Sequence, residues 1–195
     1  GKMSQVVWKG LESQKISITG GELKGLIDIR DGDGQGLNYR GLRYYLLKLN
    51  EFAQGFSKAI NEQHQRGMEF LGGAGGDFFK VPEEGADKIN CINFAVRDGL
   101  LSNPDLIATS SHTGGESNNE NLMKLIELKD NTTMFDSTKG TPDDFVKALL
   151  SSLAVDSQQS KRMNINTEVL LLQTDNNRMS ESGVLLDEEM GNMIK

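Results

Sequence analysis

Few residues in this 195-residue sequence have the types and spacing that catalysis or ligand binding requires. Of the two histidines, His64 lies near the end of a long helical pattern and His112 lies in the serine-rich loop SSHTGGES. A serine–histidine–acid hydrolase needs a nucleophile and a carboxylate beside such a histidine, but the motifs GxSxG and HExxH are absent. Cys91 has no second cysteine to pair with, so an internal disulfide is excluded. We interpret Cys91, in the run INCINFAV, as a small buried apolar residue.

Two glycine-rich stretches have partial similarity to ligand-binding loops. The stretch DGDGQG, from Asp31 to Gly36, resembles the start of an EF-hand loop, but position twelve is Leu42 instead of a bidentate glutamate. The stretch GGAGG, from Gly72 to Gly76, lacks the Lys-Ser/Thr that follows a phosphate-binding loop. We interpret both as connectors, and we predict no catalytic residues, no cofactor and no metal site.

The composition excludes several classes of partner. The net charge is −7 and Lys and Arg are dispersed without a basic run, which argues against nucleic acid and anionic membranes. No apolar run approaches the roughly 20 residues needed to span a bilayer. No apolar run follows Met3, so no cleaved signal peptide is predicted.

The element that organises the chain is a long amphipathic helix predicted over residues 37–66. Its apolar positions recur at steps of 4, 3, 4, 3 and 4 from Leu42 to Ile60. A second long helix is predicted from Thr141-Pro142 to about residue 180, opened by a cap, a proline and two acids. Because a long helix is stabilised mainly by packing its apolar face, we expect the two helices to be each other's main partners. The predicted bundle core comprises Leu42, Leu46, Leu49, Phe56, Ile60, Leu149, Leu153 and Leu170.

The remaining elements are shorter. Residues 4–19 read as a β-hairpin, residues 22–31 as a helix, and residues 89–96 as a strand. A helical turn is expected at Asn103-Pro104 and a capping box at residues 117–120. The fold class is mainly α with a minor β part (α+β), an elongated helical bundle with a small hairpin or sheet region. The expected divisions are a hairpin at 1–20, rod-like helices at 21–66, a loop and strand excursion at 67–116, and returning helices at 117–195.

The end of the chain carries a distinctive motif, SGVLLDEEMGNMIK. It closely resembles the stretch shared by the bacterial flagellar axial proteins, which there leads into a C-terminal helix that polymerises. The residues that match this motif are Ser182, Gly183, Val184, Leu186, Asp187, Glu188, Glu189 and Asn192.

Further segments resemble one group within that family, the hook-associated proteins of the hook–filament junction. The segment GGELKGLIDIR begins at Gly20, and FSKAINEQHQRG begins at Phe56. The sequences DFF, from Asp77, and NPDLIA, from Asn103, follow in the family's order. The second segment ends a helix, and its motif residues are Asn61, Gln63, His64 and Gly67.

The resemblance implies a structural subunit without catalytic activity that acts by self-assembly and stacking. It implies export through the flagellar type III apparatus without a cleaved signal peptide, and an extracellular location in the flagellum. The implied partners are its own subunits in a ring, the hook protein, the filament-side junction protein and an export chaperone that binds a C-terminal helix. It also implies a fragment: an N-terminal helical half and that C-terminal helix would lie outside this sequence, which we therefore expect to be monomeric.

Alternative readings are a filament-side junction protein, a flagellin-like protein, or an adhesin or enzymatic module displayed on flagella. The last would need a metal site or a nucleophile in residues 67–116, where we find neither. Polar positions on the two long helices are expected to remain available to neighbouring subunits; they are Lys48, Glu51, Lys58, Glu62, Lys161 and Arg162.

Overall fold

The computed structural model describes residues 7–8, 11–16, 18–36, 39–113, 118–137, 139–182, 190–191 and 193–194. The chain divides into two units, Gly1–Leu149 and Leu150–Lys195. Most described residues are helical, so the prediction of a mainly helical protein is confirmed.

The first unit contains the strands and the shorter helices. β1 (Val7–Trp8) and β2 (Leu11–Lys15) pair antiparallel with a register irregularity. No further strand joins them among the described residues. The helices of this unit are α1 (Gly21–Asp31), α2 (Leu42–Gln65), α3 (Asp98–Ser102) and α4 (Glu120–Glu127), with 3₁₀ segments at Ala86–Lys88, Pro104–Leu106 and Leu128–Asp130. The last helix, α5 (Pro142–Ser182), begins in this unit.

α2 begins five residues later than the periodicity predicts because a glycine-rich connector precedes it. The Gly41 amide donates to the Gly32 carbonyl oxygen at 3.0 Å. A Cβ at Gly41 would overlap the carbonyl oxygens of Asp28 and Ile29, so the chain must pass close to the end of α1 here. The acids in this connector are engaged locally: Asp33 Oδ1 accepts from the backbone of Gln35.

The strand predicted at 89–96 is wrong, because asparagine side chains fold this segment into turns. Asn90 Oδ1 accepts from the amides of Ile92 and Asn93, at 2.9 and 3.2 Å, and Asn93 Oδ1 accepts from the Asn90 amide. Such local bonds offer the backbone an alternative to a β-ladder. Only Val96 pairs, in an isolated bridge with Phe79. Cys91 is half-buried, not fully buried as predicted.

The core of the first unit is a cluster of phenylalanines. Phe135 lies between Phe52 of α2 and Phe145 in the first turn of α5, with ring centroids 5.5 and 4.5 Å away. Phe79 stacks on Phe94 at 4.5 Å, and Phe56 contacts both. Each fully buried phenylalanine contributes about 1.5–3 kcal/mol, and aromatic pairs add about 0.5–1.5 kcal/mol.

The buried face of α2 differs from the predicted leucine seam. Leu42, Leu46 and Leu49 are 67%, 45% and 44% exposed, while Phe56, Ile60 and Leu149 are half-buried. α2 contacts α1 and α4, and returning loops pack on it at Phe52 and Asn61. The buried positions of α2 are Ala53, Ser57, Asn61 and His64.

Within the first unit, α2 meets the start of α5 through Phe52 and Phe145, at 5.7 Å. The described contacts of α2 lie mainly with α1, α4 and the 3₁₀ segment Ala86–Lys88. Because only the first two turns of α5 belong to this unit, the packing of the two long helices against each other stays a prediction. A bundle that buries the leucine seam against additional helices stays a prediction.

The start of α5 is capped as the sequence predicts. Thr141 Oγ1 accepts from the Asp144 amide at 3.2 Å, and Asp144 Oδ2 accepts from the Thr141 amide at 3.0 Å and from its hydroxyl at 2.8 Å. These bonds from Thr141, its hydroxyl above all, hold the pKa of Asp144 below its ordinary value. The reciprocal pair satisfies amides that the first helical turn leaves without partners.

The second unit contains the rest of α5. Its apolar side chains are largely exposed, including the predicted core residues Leu153 and Leu170 at 48% and 62%. Thr167 and Thr174 donate to carbonyls four residues earlier, at 2.8 Å each. Among the described residues, no helix has an apolar stretch long enough to cross a membrane.

Candidate functional site

Four polar side chains gather where α2 ends. Asn61, Gln63 and His64 come from its last turns, and Asn121 comes from α4. We call these four residues the polar clamp. Their partners are backbone groups of two segments far along the chain, residues 76–79 and residue 108.

Asn61 binds the first segment. Its Oδ1 accepts from the Phe78 amide at 3.0 Å and from the Phe79 amide at 2.7 Å. Its Nδ2 donates to the Phe79 carbonyl oxygen at 3.2 Å. Because the residue is buried, the bonds replace those that water would make to these backbone groups. One side chain thus does for the segment what a neighbouring strand would do.

His64 joins both segments to α2 and is fully buried. Its Nδ1 lies 2.7 Å from the Gly76 carbonyl oxygen, and its Nε2 lies 2.9 Å from the Ala108 amide nitrogen. A carbonyl only accepts and an amide N–H only donates, so this network assigns the neutral ring with the proton on Nδ1. The Phe78 ring meets the imidazole edge to face at 5.5 Å.

Gln63 and Asn121 complete the clamp from α4. Gln63 Nε2 donates to Asn121 Oδ1 at 2.7 Å, and Asn121 Nδ2 donates to the Ala108 carbonyl oxygen at 2.6 Å. Ala108 is therefore held on both sides, its N–H by His64 and its carbonyl by Asn121. It is fully buried, so both polar groups need these protein partners.

Two glycines allow the segments to approach this closely. A Cβ at Gly67 would overlap the Asn121 side-chain amide, and a Cβ at Gly75 would overlap the His64 carbonyl oxygen. The Gly67 amide donates to that oxygen at 3.1 Å, and the Gly75 amide donates to the Gly67 carbonyl at 2.9 Å. The glycine that ends the helix motif therefore has a steric role.

The structure brings together all four helix-end residues singled out from the sequence: Asn61, Gln63, His64 and Gly67. Asn121 was not predicted as a site residue, because its segment has the pattern of a helix start. Its cap differs from the predicted one: Asn118 Oδ1 accepts from the Glu120 amide at 3.0 Å, and Ser117 lies outside the described residues.

A second polar tie fixes α2 to the loop before α5. Glu51 Oε1 accepts from the Ser137 amide at 3.0 Å, Glu51 Oε2 accepts from Lys48 Nζ at 3.0 Å, and Lys48 also donates to Ser137 Oγ at 2.6 Å. Burial raises the pKa of Glu51, but the bonds from Ser137 and Lys48 outweigh it and leave the pKa below its ordinary value. Lys48 and Glu51 are thus engaged within the chain, whereas Lys58, Glu62, Lys161 and Arg162 are exposed as expected.

His112 is exposed and does not form a hydrolase triad. Ser111 Oγ donates to Glu120 Oε2 at 2.5 Å and lies 3.1 Å from His112 Nδ1. The hydrogen bond from Ser111 holds the pKa of Glu120 below its ordinary value. In a triad the histidine lies between the serine and the acid, but here the serine lies between the other two. The carboxylate therefore does not orient the histidine.

The C-terminal motif is largely outside the part of the chain that the structure describes. Ser182 is the last residue of α5. Outside the described residues are Gly183, Val184, Leu186, Asp187, Glu188, Glu189 and Asn192. Across the residues that are described, no three His, Cys, Asp or Glu side chains are grouped to hold a metal ion.

Comparison with known proteins places the clamp in a family context. Residues 1–79 match the family model described as the flagellar hook-associated protein FlgK helical domain. The chain is also similar to flagellar hook-associated protein 1 of Bacillus subtilis (strain 168), with 33% identity over 156 residues. This match covers 77% of the chain and 30% of that relative, so the chain spans about a third of the relative's length.

Proposed function

Because the chain belongs to the flagellar hook-associated proteins of the FlgK type, we propose that it is a structural subunit at the junction between hook and filament. It acts by self-association and stacking and catalyses no reaction. Its partners are its own subunits in a ring, the hook protein, the filament-side junction protein and an export chaperone. Its location is the extracellular flagellum, which it reaches through the flagellar type III apparatus.

The observation that carries this proposal is the polar clamp. The polar side-chain atoms of the family-motif residues Asn61 and His64 form hydrogen bonds with backbone groups of the same chain. Gln63 reaches the backbone through Asn121. Side chains that are bonded in this way stabilise the fold of the chain and are not available to bind a substrate.

The exposed apolar side chains give further support. Leu23 and Leu26 of α1 are exposed, as are Leu42 and Leu46 of α2. Apolar side chains grouped at a surface are typical of surfaces that associate with other proteins. A subunit that functions inside an assembly needs such surfaces.

The proposal is tested by restoring filament growth. Cells that lack the full-length protein should carry hooks without filaments, and purified full-length protein added to those hooks should allow filaments to grow when the remaining filament components are supplied. A matched variant with Gln65→Ala, which changes only a bond to Asp77 outside the clamp, should restore growth equally well. Hooks that grow filaments without the protein, or that never grow them with it, would overturn the proposal.

A further inference from the structure

We infer that His64 is a pH-sensitive latch, whose protonation releases the Ala108 amide from the end of α2. The inference goes beyond the proposed function and does not depend on it, because it concerns contacts within this chain. It follows from the burial of the imidazole and from the chemistry of its two partners.

Only the neutral ring fits the observed network. The Ala108 amide N–H points at Nε2 from 2.9 Å, and an N–H group can only donate. An imidazolium carries a proton on Nε2 as well, so two donors would then face each other in a buried site. Nδ1 carries a proton in both forms of the ring, so either form can donate to the Gly76 carbonyl oxygen. Protonation therefore breaks the bond to Ala108 in particular.

Among the described residues, the hydrogen-bond partners of the ring are backbone groups, and no carboxylate is bonded to it. On the segment 76–79, Asp77 accepts from Gln65 at 2.7 Å. The guanidinium of Arg97 lies beside Gly76 and is itself positive. Other charged side chains lie nearby in sequence. Glu69 is half-buried, and the rest are exposed: Glu62, Arg66, Asp105, Glu120, Lys124 and Glu127.

The sign of the pH effect follows from proton linkage. In the closed latch the lone pair of His64 Nε2 accepts from the Ala108 amide, whereas in the open state this nitrogen is available to a proton. Because the open state binds more protons, acidification favours opening, and one linked proton raises the opening constant by at most about tenfold per pH unit. Opening exposes the Ala108 amide to solvent, so hydrogen exchange at this amide reports on the latch.

The test is hydrogen exchange by NMR on the ¹⁵N-labelled chain between about pH 7.5 and about pH 5, the range in which histidines titrate. After correction for the intrinsic pH dependence of exchange, the protection factor of the Ala108 amide should fall by about tenfold or more. In the variant His64→Gln the side-chain oxygen accepts from Ala108 without titrating, so the protection factor should stay constant.

Two further measurements keep the test decisive. The chain has only one other histidine, so the control His112→Gln should keep the wild-type pH dependence. If His64→Gln does not fold, ring ¹⁵N shifts of the wild-type chain still show whether the proton at neutral pH is on Nδ1. A protection factor that does not respond to pH, an Nε2–H ring, or the same pH dependence in His64→Gln as in wild type would each overturn the inference.

Discussion

The Nε2 atom of His64 accepts a hydrogen bond from the Ala108 amide across 44 positions of sequence. Two further sets of bonds help to hold the returning backbone to the end of α2. They are the bonds of Asn61 to residues 78 and 79 and the bond of Asn121 to Ala108. A recurrent motif of polar residues at the end of a helix thereby becomes a set of structural contacts.

Asn61→Ala should destabilise the chain strongly. The change leaves the buried amides of residues 78 and 79 and one carbonyl without their partner, and each unsatisfied buried group costs about 1–3 kcal/mol. Because water and relaxation recover part of this, we expect a loss of about 3 kcal/mol in the free energy of unfolding, measured by urea denaturation. The control Gln65→Ala, at an exposed position, should change the stability by no more than about 0.5 kcal/mol. Equal losses for both variants would contradict the role of Asn61.

Gly67→Ala should also destabilise, for a steric reason. The added methyl group would displace the Asn121 amide and break its bond to Ala108, at an expected cost of about 1–3 kcal/mol. Gly25→Ala is the matched control, because this exposed glycine within α1 has open space around it and alanine is the better helix former by about 1 kcal/mol. Thermal unfolding should therefore show a lower Tm for Gly67→Ala and a higher one for Gly25→Ala. A Gly67→Ala chain as stable as wild type would show that the close approach is not required.

Glu51→Gln should remove part of the acid sensitivity of folding. The pKa of Glu51 is lowered in the folded chain relative to its ordinary value of 4.5, so its ionised form is stabilised by folding. That stability is present above pH 4.5 and is lost as the pH falls through the lower, folded value. The wild type should be more stable than Glu51→Gln near neutral pH, and the difference should shrink in acid. Urea denaturation at several pH values measures it, and a difference that grows in acid would contradict the assignment.

Thr141→Ala should weaken the start of α5. It removes the hydroxyl that accepts from the Asp144 amide and donates to the Asp144 carboxylate, and loss of such a cap costs about 1 kcal/mol. Thr141→Ser keeps the hydroxyl and should retain most of the stability. Urea denaturation followed by circular dichroism compares the two variants. A Thr141→Ala chain as stable as the Thr141→Ser chain would show that the hydrogen bonds between Thr141 and Asp144 do not stabilise the protein.

The two long helices were predictable from local signals, whereas α3 was not predicted. Spacing of apolar residues located α2, and the sequence Thr141-Pro142-Asp143-Asp144 located the start of α5, because both signals act within a few residues. The strand at 89–96 failed because Asn90 and Asn93 bind the local backbone, which apolar content does not reveal.

The face that α2 buries could not be predicted in the same way. Periodicity identifies the apolar side of a helix but not what covers it, and α2 is covered where loops return, at Ser57, Asn61 and His64. The polar clamp depends on Asn121, which is 58 positions from Gln63. No local pattern carries information over that distance. The motif residues could be singled out, but their partners could not.

The most direct test of the central claim is the binding of purified full-length protein to isolated hooks, counted by electron microscopy. The proposed junction role predicts that the protein binds at one end of each hook and saturates there. The Asn61→Ala variant should bind in proportion to the fraction that is folded, because Asn61 holds the chain's own backbone. Wild-type protein with no affinity for hook ends would contradict the junction role, and a fully folded Asn61→Ala protein that fails to bind would contradict the structural role of the clamp.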